Sequence, residues 1–347
     1  MPQLELQPLL AVHAHPDDET LSNAGLLAAT AAAGLPVAVV TATRGELGEV
    51  IGPRKGELEG AGPVLAAHRT TELTGALAAL GVRQHVFLDQ VPGGTDGRFQ
   101  DSGMAWLDQE LGAGHSAAAA LGDDVPAGAL VKVPLADAAH RLARVITELA
   151  PHTVVTYEPG GGYGHPDHVR TYDITTAAIA LAASGIDGRK YEVQRLLWTV
   201  IPKEVLQAGR SALLATGNTA ADASGLANYP ATTDPIASVG VPLQDQLLTL
   251  DIRPVLANVL GALQSHGTQV QWAQSYAPPV ELEIATPDVG AAAGSAGPGA
   301  ADHKSVAKYE LSGSFALSNN IVAPLLSHEF YLPAQLGQAN ETIHQRV

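Results

Sequence analysis

The sequence predicts an α/β protein built on a Rossmann-like, mostly parallel sheet with helices on both faces, followed by a smaller C-terminal α+β cap. Three observations predict it. Short apolar runs, several of them β-branched, alternate with stretches of helical period. The runs are apolar throughout rather than in alternation, the pattern of strands buried on both faces. Polar clusters follow the runs directly, where the loops of such a sheet gather around a ligand.

Leu9-Leu10-Ala11-Val12 reads as the first strand, ending near His15, and the apolar-rich Leu21 to Ala33 as the helix after it. Gly34-Leu35-Pro36 stops that helix. Val37-Ala38-Val39-Val40-Thr41 is too β-branched for a good helix and supplies the second strand, completing a βαβ unit. Leu65, Leu73, Leu77 and Leu80 keep one helical face up to the stop at Gly81, and His85 to Leu88 reads as a strand. A helix over Leu135 to Leu149, a strand over Thr153 to Tyr157 and a helix from about Pro166 to Ala182 repeat the rhythm. Beyond Tyr191 it weakens to strand-like runs at Leu196–Ile201 and Leu247–Leu250 and a helix from Pro254 to His266. The division expected is a catalytic domain over 1–190 and a cap over 191–347. Pro287 to Ala301 is nearly all Ala, Gly and Pro and reads as a flexible surface loop. No internal repeat argues for a solenoid or propeller.

With 347 residues, 46% apolar and 16% charged, the chain has material for a core and does not resemble a disordered one. Its 35 acidic against 19 basic residues give a net charge of −16, which repels phosphate backbones and anionic lipid, so neither nucleic acid nor a membrane surface is expected as a partner. Cysteine is absent, which removes disulfides, thiolate metal sites and cysteine nucleophiles; any metal must be held by His, Asp or Glu. Met1 to Pro8 lacks the basic start and apolar stretch of a secretory signal, and no uncharged apolar run of about 18 residues follows. A cytoplasmic protein acting on a small molecule is expected.

Two clusters carry chemistry. His15-Pro16-Asp17-Asp18-Glu19 and His165-Pro166-Asp167-His168 each follow a predicted strand. A catalytic metal site without cysteine takes about three imidazole and carboxylate donors and leaves a position for water. Two loops at one sheet edge can supply them, with His165 and His168 on one face of a helix begun by Pro166. A lone H-x-x-H or Asp pair is weak evidence; two such clusters at equivalent βα loops of a charge-poor chain point to a metal site.

Val12 to Glu19 together with Gly161 to His168 resembles the LmbE-like zinc de-N-acetylase family. The resemblance extends to Gly45–Gly52, Arg98–Met104 and Leu317–Asn320, and is closest to the branch that deacetylates N-acetylglucosaminyl-inositol in mycothiol biosynthesis. It covers most of the chain, densely to about residue 200. Leu107–Lys132 and Pro287–Ala301 do not align with it. The resemblance implies that His15, Asp18 and His168 ligate zinc, that Asp17 is the general base, and that His165 and Tyr163 stabilise the oxyanion. Sites of two histidines and one carboxylate also accept iron(II).

The same resemblance places Ser22, Glu49, Arg69 and Asp101 against the hydroxyls of the amino-sugar substrate. Each has a plainer reading: Ser22 and Asp101 as capping residues, Arg69 as a solvated helix arginine. Glu49, in a strand-following loop, has the best claim. His13 reads as packed behind His15, His266 as a helix-end histidine that the resemblance turns toward the cleft, and Asp167 either as orienting a ligand histidine or as accepting backbone donors. Deacetylation of N-acetylglucosaminyl-malate in bacillithiol biosynthesis and cleavage of mycothiol conjugates share the chemistry and are the alternative substrates. A phosphate-binding module is excluded because the loop after the first strand is His-Pro-Asp-Asp instead of glycine-rich.

Overall fold

The computed structural model describes residues 1–94, 97–106, 119–122, 125–285 and 306–334; the expected loop over 287–301 and most of the unaligned segment 107–132 lie outside them. A central sheet runs through the molecule. Its strands are β1 (Leu9–His13), β2 (Val37–Thr41), β3 (Gln84–Phe87), β4 (Thr153–Tyr157), β5 (Arg195–Pro202), β6 (Gly240–Val241), β7 (Leu248–Asp251) and, from the C-terminal part, β11 (His328–Ala334). The order is β3-β2-β1-β4-β5-β11-β7, with β6 paired to β5. From β3 to β5 neighbours are parallel, and β11 enters antiparallel to both β5 and β7.

β1, β2 and β4 are buried at every position, and their alternate side chains feed two cores. Leu9, Ala11, Val37, Val39 and Val155 face one, packed under α1 (Asp18–Ala32), α2 (Pro63–Leu80) and a later helix, α6 (Leu256–Ser265). Leu10, Val12, Ala38, Val40 and Val154 face the other, under α3 (Leu135–Leu149) and α4 (Pro166–Ser184). Burial on both faces is what the uninterrupted apolar runs require.

The chain leaves β1 toward β2 on one side, and β4 later pairs on the other. The loops after β1 and β4 therefore diverge at a topological switch point, where a crevice opens at the carboxyl edge of the sheet.

Residues after 190 divide between two structures. β5, β6, β7 and β11 extend the central sheet, while β8 (Gln271–Ala285), β9 (Val306–Ala316) and β10 (Val322–Leu326) form a separate antiparallel sheet, with α5 (Lys203–Thr216) packed against it. Strands β8 to β11 have no counterpart in the periodicity reading. Two boundaries also move. β1 stops at His13, and the helix expected from Leu21 begins at Asp18, because Asp18 and Glu19 suit the positive end of a helix as well as a loop. The helix expected over 254–266 starts as a 3₁₀ turn at Arg253–Val255 before α6.

α1 is broken at Asn23, whose φ and ψ of −142° and 15° are not helical, while its amide donates to Thr199 Oγ1 at 2.7 Å. The break releases backbone donors that Glu329 of β11 takes up: Gly25 N at 2.6 Å and Leu26 N at 2.8 Å, with Tyr331 Oη also donating to the carboxylate. Enclosure pushes the Glu329 carboxyl up to about 7, against the pull of those three donors. Because this folded-state value lies above that of an exposed glutamate, the native protein binds more protons between about pH 4.5 and 7, and stability falls as pH rises through that window. Glu329→Gln, neutral throughout, is expected to flatten this part of the profile, read as the difference between variant and parent in denaturant midpoint at pH 5 and pH 8. A difference constant across that range would show that the carboxylate is ionised in the native state at both.

Candidate metal centre

Asp17 ends the loop after β1 and Asp18 opens α1, so the first cluster sits at a helix N-terminus. The loop after β4 runs through the glycine-rich stretch 160–164 to His165, which caps α4 by accepting the Asp167 N–H on Nδ1 at 3.1 Å. His168, one turn further, points back to the first cluster.

At the centre, the Asp18 carboxylate lies between two imidazoles: Oδ2 is 3.3 Å from His15 Nδ1 and Oδ1 is 3.2 Å from His168 Nε2. Asp18 Oδ2 also accepts the His15 backbone N–H at 2.8 Å. All three side chains are buried. The outer nitrogens are engaged elsewhere. His15 Nε2 donates to Asp167 Oδ2 at 3.3 Å, with Asp101 Oδ1 at 3.7 Å, and His168 Nδ1 donates to the Gly161 carbonyl at 3.1 Å. The close approach needs glycine: a Cβ at Gly161, where φ is +70°, would lie 2.8 Å from Val169 N. Tyr157 stacks on His168 with centroids 4.2 Å apart, and its hydroxyl accepts the Ala14 N–H at 2.9 Å.

These partners assign the tautomers. With their far nitrogens donating, the neutral forms of His15 and His168 leave Nδ1 and Nε2 as acceptors facing a carboxylate, and His168 Nε2 is buried with no hydrogen-bond partner among the described residues. Acceptors converging in a buried space call for positive charge among them, supplied by a metal ion or by a proton on an imidazole. The charge pattern agrees. Asp18 is held well below the usual carboxylate range: burial pushes it up, and His168 and His15 more than reverse this. Burial would lower His15, yet Asp101, Asp167 and Asp18 raise it well above an ordinary imidazole, so the pocket favours positive charge at this point. The donors fit a metal ion. Ligand atoms of His15, His165 and His168 lie within 4.8 Å of one another, as do those of His15, Asp101 and Asp167. His165 is the less suited as a ligand, because its Nδ1 accepts from Asp167 N and leaves Nε2 as the N–H. Burial, His15 and His168 press its pKa well below the ordinary range, favouring that neutral form.

Asp17 stands beside this group without joining it. Its φ of 117° lies in the left-handed half of the map, and its Oδ2 is 3.1 Å from Arg69 Nη2. Burial raises its pKa, Arg69 opposes, Asp18 adds to the rise, and the result is about 6. Tyr163 lies 5.1 Å from His168 by ring centroids, and burial together with Asp18 and Asp17 raises its phenol, keeping it a donor.

The four expected substrate contacts fare differently. Arg69 is no solvated helix residue: it is buried and donates to the carbonyls of Gly45 at 2.8 Å and Pro16 at 2.5 Å, bracing the first loop. Gly45 makes room for it, since a Cβ there would lie 2.0 Å from the guanidinium. Asp101 is buried, 3.7 Å from His15, and accepts Gly103 N at 2.9 Å as a turn rather than a helix cap. Ser22 lies within α1, past its cap, and is partly buried. The Glu49 side chain is exposed, and its carbonyl accepts from Gln269 Nε2 at 3.0 Å.

Asp167 takes the first of its two expected roles, orienting His15; the backbone donor it accepts is Ser102 N at 2.8 Å, not one at its own helix start. His266 does not open to a cleft; it is fully buried, bonded to Glu19. No helix among the described residues is long and apolar enough to cross a membrane.

A family model described as GlcNAc-PI de-N-acetylase (PIG-L) matches residues 10–179. A protein of Kineococcus radiotolerans named 1D-myo-inositol 2-acetamido-2-deoxy-alpha-D-glucopyranoside deacetylase is 42% identical over 266 residues, 76% of this chain and 68% of that one. A Rhodococcus erythropolis protein of the same name is 33% identical over 97% of this chain and 95% of its own. Among solved structures, N,N'-diacetylchitobiose deacetylase from Pyrococcus horikoshii aligns with 75% of this chain and 69% of its own, at 16% identity and a TM-score of 0.45.

The metal fit has a direct check. His168→Ala is expected to lower bound metal from about one ion per chain to near zero by elemental analysis, with far-UV circular dichroism unchanged. Full occupancy in that variant would refute the site.

Proposed function

The chain belongs to the GlcNAc-PI de-N-acetylase (PIG-L) family, and from that membership we propose that it is a zinc-dependent hydrolase of the acetamide of N-acetylglucosaminyl-inositol, yielding glucosaminyl-inositol and acetate for mycothiol biosynthesis in the cytoplasm. The names of the relatives support the substrate. The observation that carries the chemistry is a pair of adjacent carboxylates in different states, Asp18 between two imidazoles and Asp17 beside them, paired with Arg69.

His15, Asp18 and His168 would hold the metal. When bound, it supplies Lewis acidity, polarising the acetamide carbonyl and acidifying a water. Asp17 takes a proton from the attacking water as the new C–O bond forms. Negative charge then develops on the former carbonyl oxygen, and His165, with its N–H on Nε2, and Tyr163 donate to it. Asp17 returns its proton to the nitrogen as the C–N bond breaks, releasing a neutral amine and acetic acid, which ionises to acetate as its proton passes to the amine or to solvent. Asp167 acts one step back, fixing His15 through Nε2 and His165 through its backbone N–H. Arg69 holds Asp17 as the ionised acceptor, and Asp101 is buried on the Nε2 side of His15. Ser22, Glu49 and these two residues are proposed to meet the sugar and inositol hydroxyls.

Asp17→Asn is expected to keep its metal and lose about 10²- to 10⁴-fold in kcat, measured as primary-amine release from N-acetylglucosaminyl-inositol. Turnover near that of the parent would place the base elsewhere. The parent enzyme should prefer the inositol compound over N-acetylglucosaminyl-malate and free N-acetylglucosamine, and lose activity on chelation. Preference for the malate compound would keep the chemistry and change the pathway.

A further inference from the structure

A buried acid–imidazole pair that the mechanism above does not use joins the first helix to a residue 247 positions further along the chain. His266 closes α6, Glu19 lies in the first turn of α1, and both are fully buried. Glu19 Oε1 accepts from His266 Nε2 at 2.9 Å and from Thr20 Oγ1 at 2.6 Å. Its other oxygen, Oε2, accepts the backbone N–H of Asp17 at 3.0 Å. One carboxylate thus connects a histidine 247 residues away to the peptide of the proposed base.

That peptide needs holding. A non-glycine residue at φ 117° costs on the order of 1–3 kcal/mol and persists only where its surroundings over-determine it. Arg69 grips the Asp17 carboxylate and the Pro16 carbonyl from one side, and Glu19 grips the Asp17 N–H from the other. His266 Nδ1 is buried with no hydrogen-bond partner among the described residues, and the polar engagement of the ring there is with Glu19 and Thr20. Pairs of this kind add little net stability compared with apolar packing, which directs attention to what they orient.

We infer that His266 is a positioning residue for the base: it fixes the Glu19 carboxylate, and Glu19 fixes the Asp17 backbone in the conformation that aims its side chain at the reacting group. The inference rests on Asp17 being the base. His266 touches no reacting atom.

The test uses the full-length, zinc-loaded enzyme and N-acetylglucosaminyl-inositol, with His266→Phe and His266→Gln made in both the parent and the Asp17→Asn background. His266→Phe should lower kcat about 10- to 100-fold with KM within about twofold and metal content unchanged. His266→Gln, which can place an N–H where Nε2 was, should recover most of that loss. In the Asp17→Asn background His266→Phe should cost nothing further, because the group it positions is already disabled. Losses that add across the two sites, or a rise in KM at constant kcat, would overturn the inference while leaving the base intact. Parent-like turnover by Asp17→Asn would overturn the base assignment and this inference with it. If His266→Phe fails to fold, Glu19→Gln decides: one amide oxygen cannot replace two carboxylate oxygens, the same loss of kcat is expected, and an unchanged kcat refutes the coupling.

Discussion

The placement of one carboxylate, Asp18, between His15 and His168 is the constraint on which the rest depends. An ionised carboxylate buried against two imidazole acceptors is costly unless positive charge stands among them, so the site is a demand for a cation built into the folded chain. Meeting that demand requires loops 150 residues apart in sequence to meet within hydrogen-bonding distance. Pairing of β1 with β4, from Leu9 opposite Thr153 to Ala11 opposite Val155, accomplishes this, because the strands end side by side and their loops leave in different directions. Metal binding by the proposed ligands would therefore be coupled to folding of this region, as it is wherever ligands converge only in the native state.

Around the cation site each ring is fixed by its outer nitrogen. Asp167 holds His15, the Gly161 carbonyl holds His168, and the Asp167 N–H holds His165. This outer layer explains why H-P-D-H is a more informative motif than two histidines alone: its proline starts the helix, and its aspartate sets the tautomers of histidines in both loops. It also separates the roles of the three histidines, which the spacing could not do. Two present lone pairs inward, and the third presents an N–H.

The elements that the sequence read well are those whose pattern is unambiguous: β2 and β4 are buried at every position, and α3 alternates buried and more exposed positions at helical period. β2, α3 and β4 fall on the expected residues, since a run such as Val37–Thr41 buried on both faces leaves no ambiguity of register or period. The start of α1 was less legible because Asp18, Glu19 and Thr20 are polar for functional reasons, and polarity alone reads as loop. β8 to β11 escaped because their burial is mixed and their pairing is long-range: Lys308 and Glu281 to Glu283 on the small sheet look like loop charges until the hairpin brings them together. At the site, the motif residues were legible and their supports were not. Nothing in one sequence says that Arg69 turns inward past Gly45 and Gly48, or that His266 meets Glu19.

Those supports change the picture of the C-terminal part of the chain. An appended cap would touch the catalytic half at the mouth of the cleft. Instead the C-terminal residues reach the catalytic helix from within: β11 lies in the central sheet and brings Glu329 to the break in α1, and the end of α6 brings His266 to its first turn. The break at Asn23 falls between these two attachments, one turn after Asp18. Asp17 and Asp18 are thus carried on a short helical segment pinned at its start by His266 and at its end by Asn23 and Glu329, and the geometry of the proposed base and ligand is set by residues from the distant half of the sequence. A catalytic domain cut near residue 190 would keep both His/Asp clusters and lose both pins, so the clusters and the machinery that holds them are not the same stretch of chain.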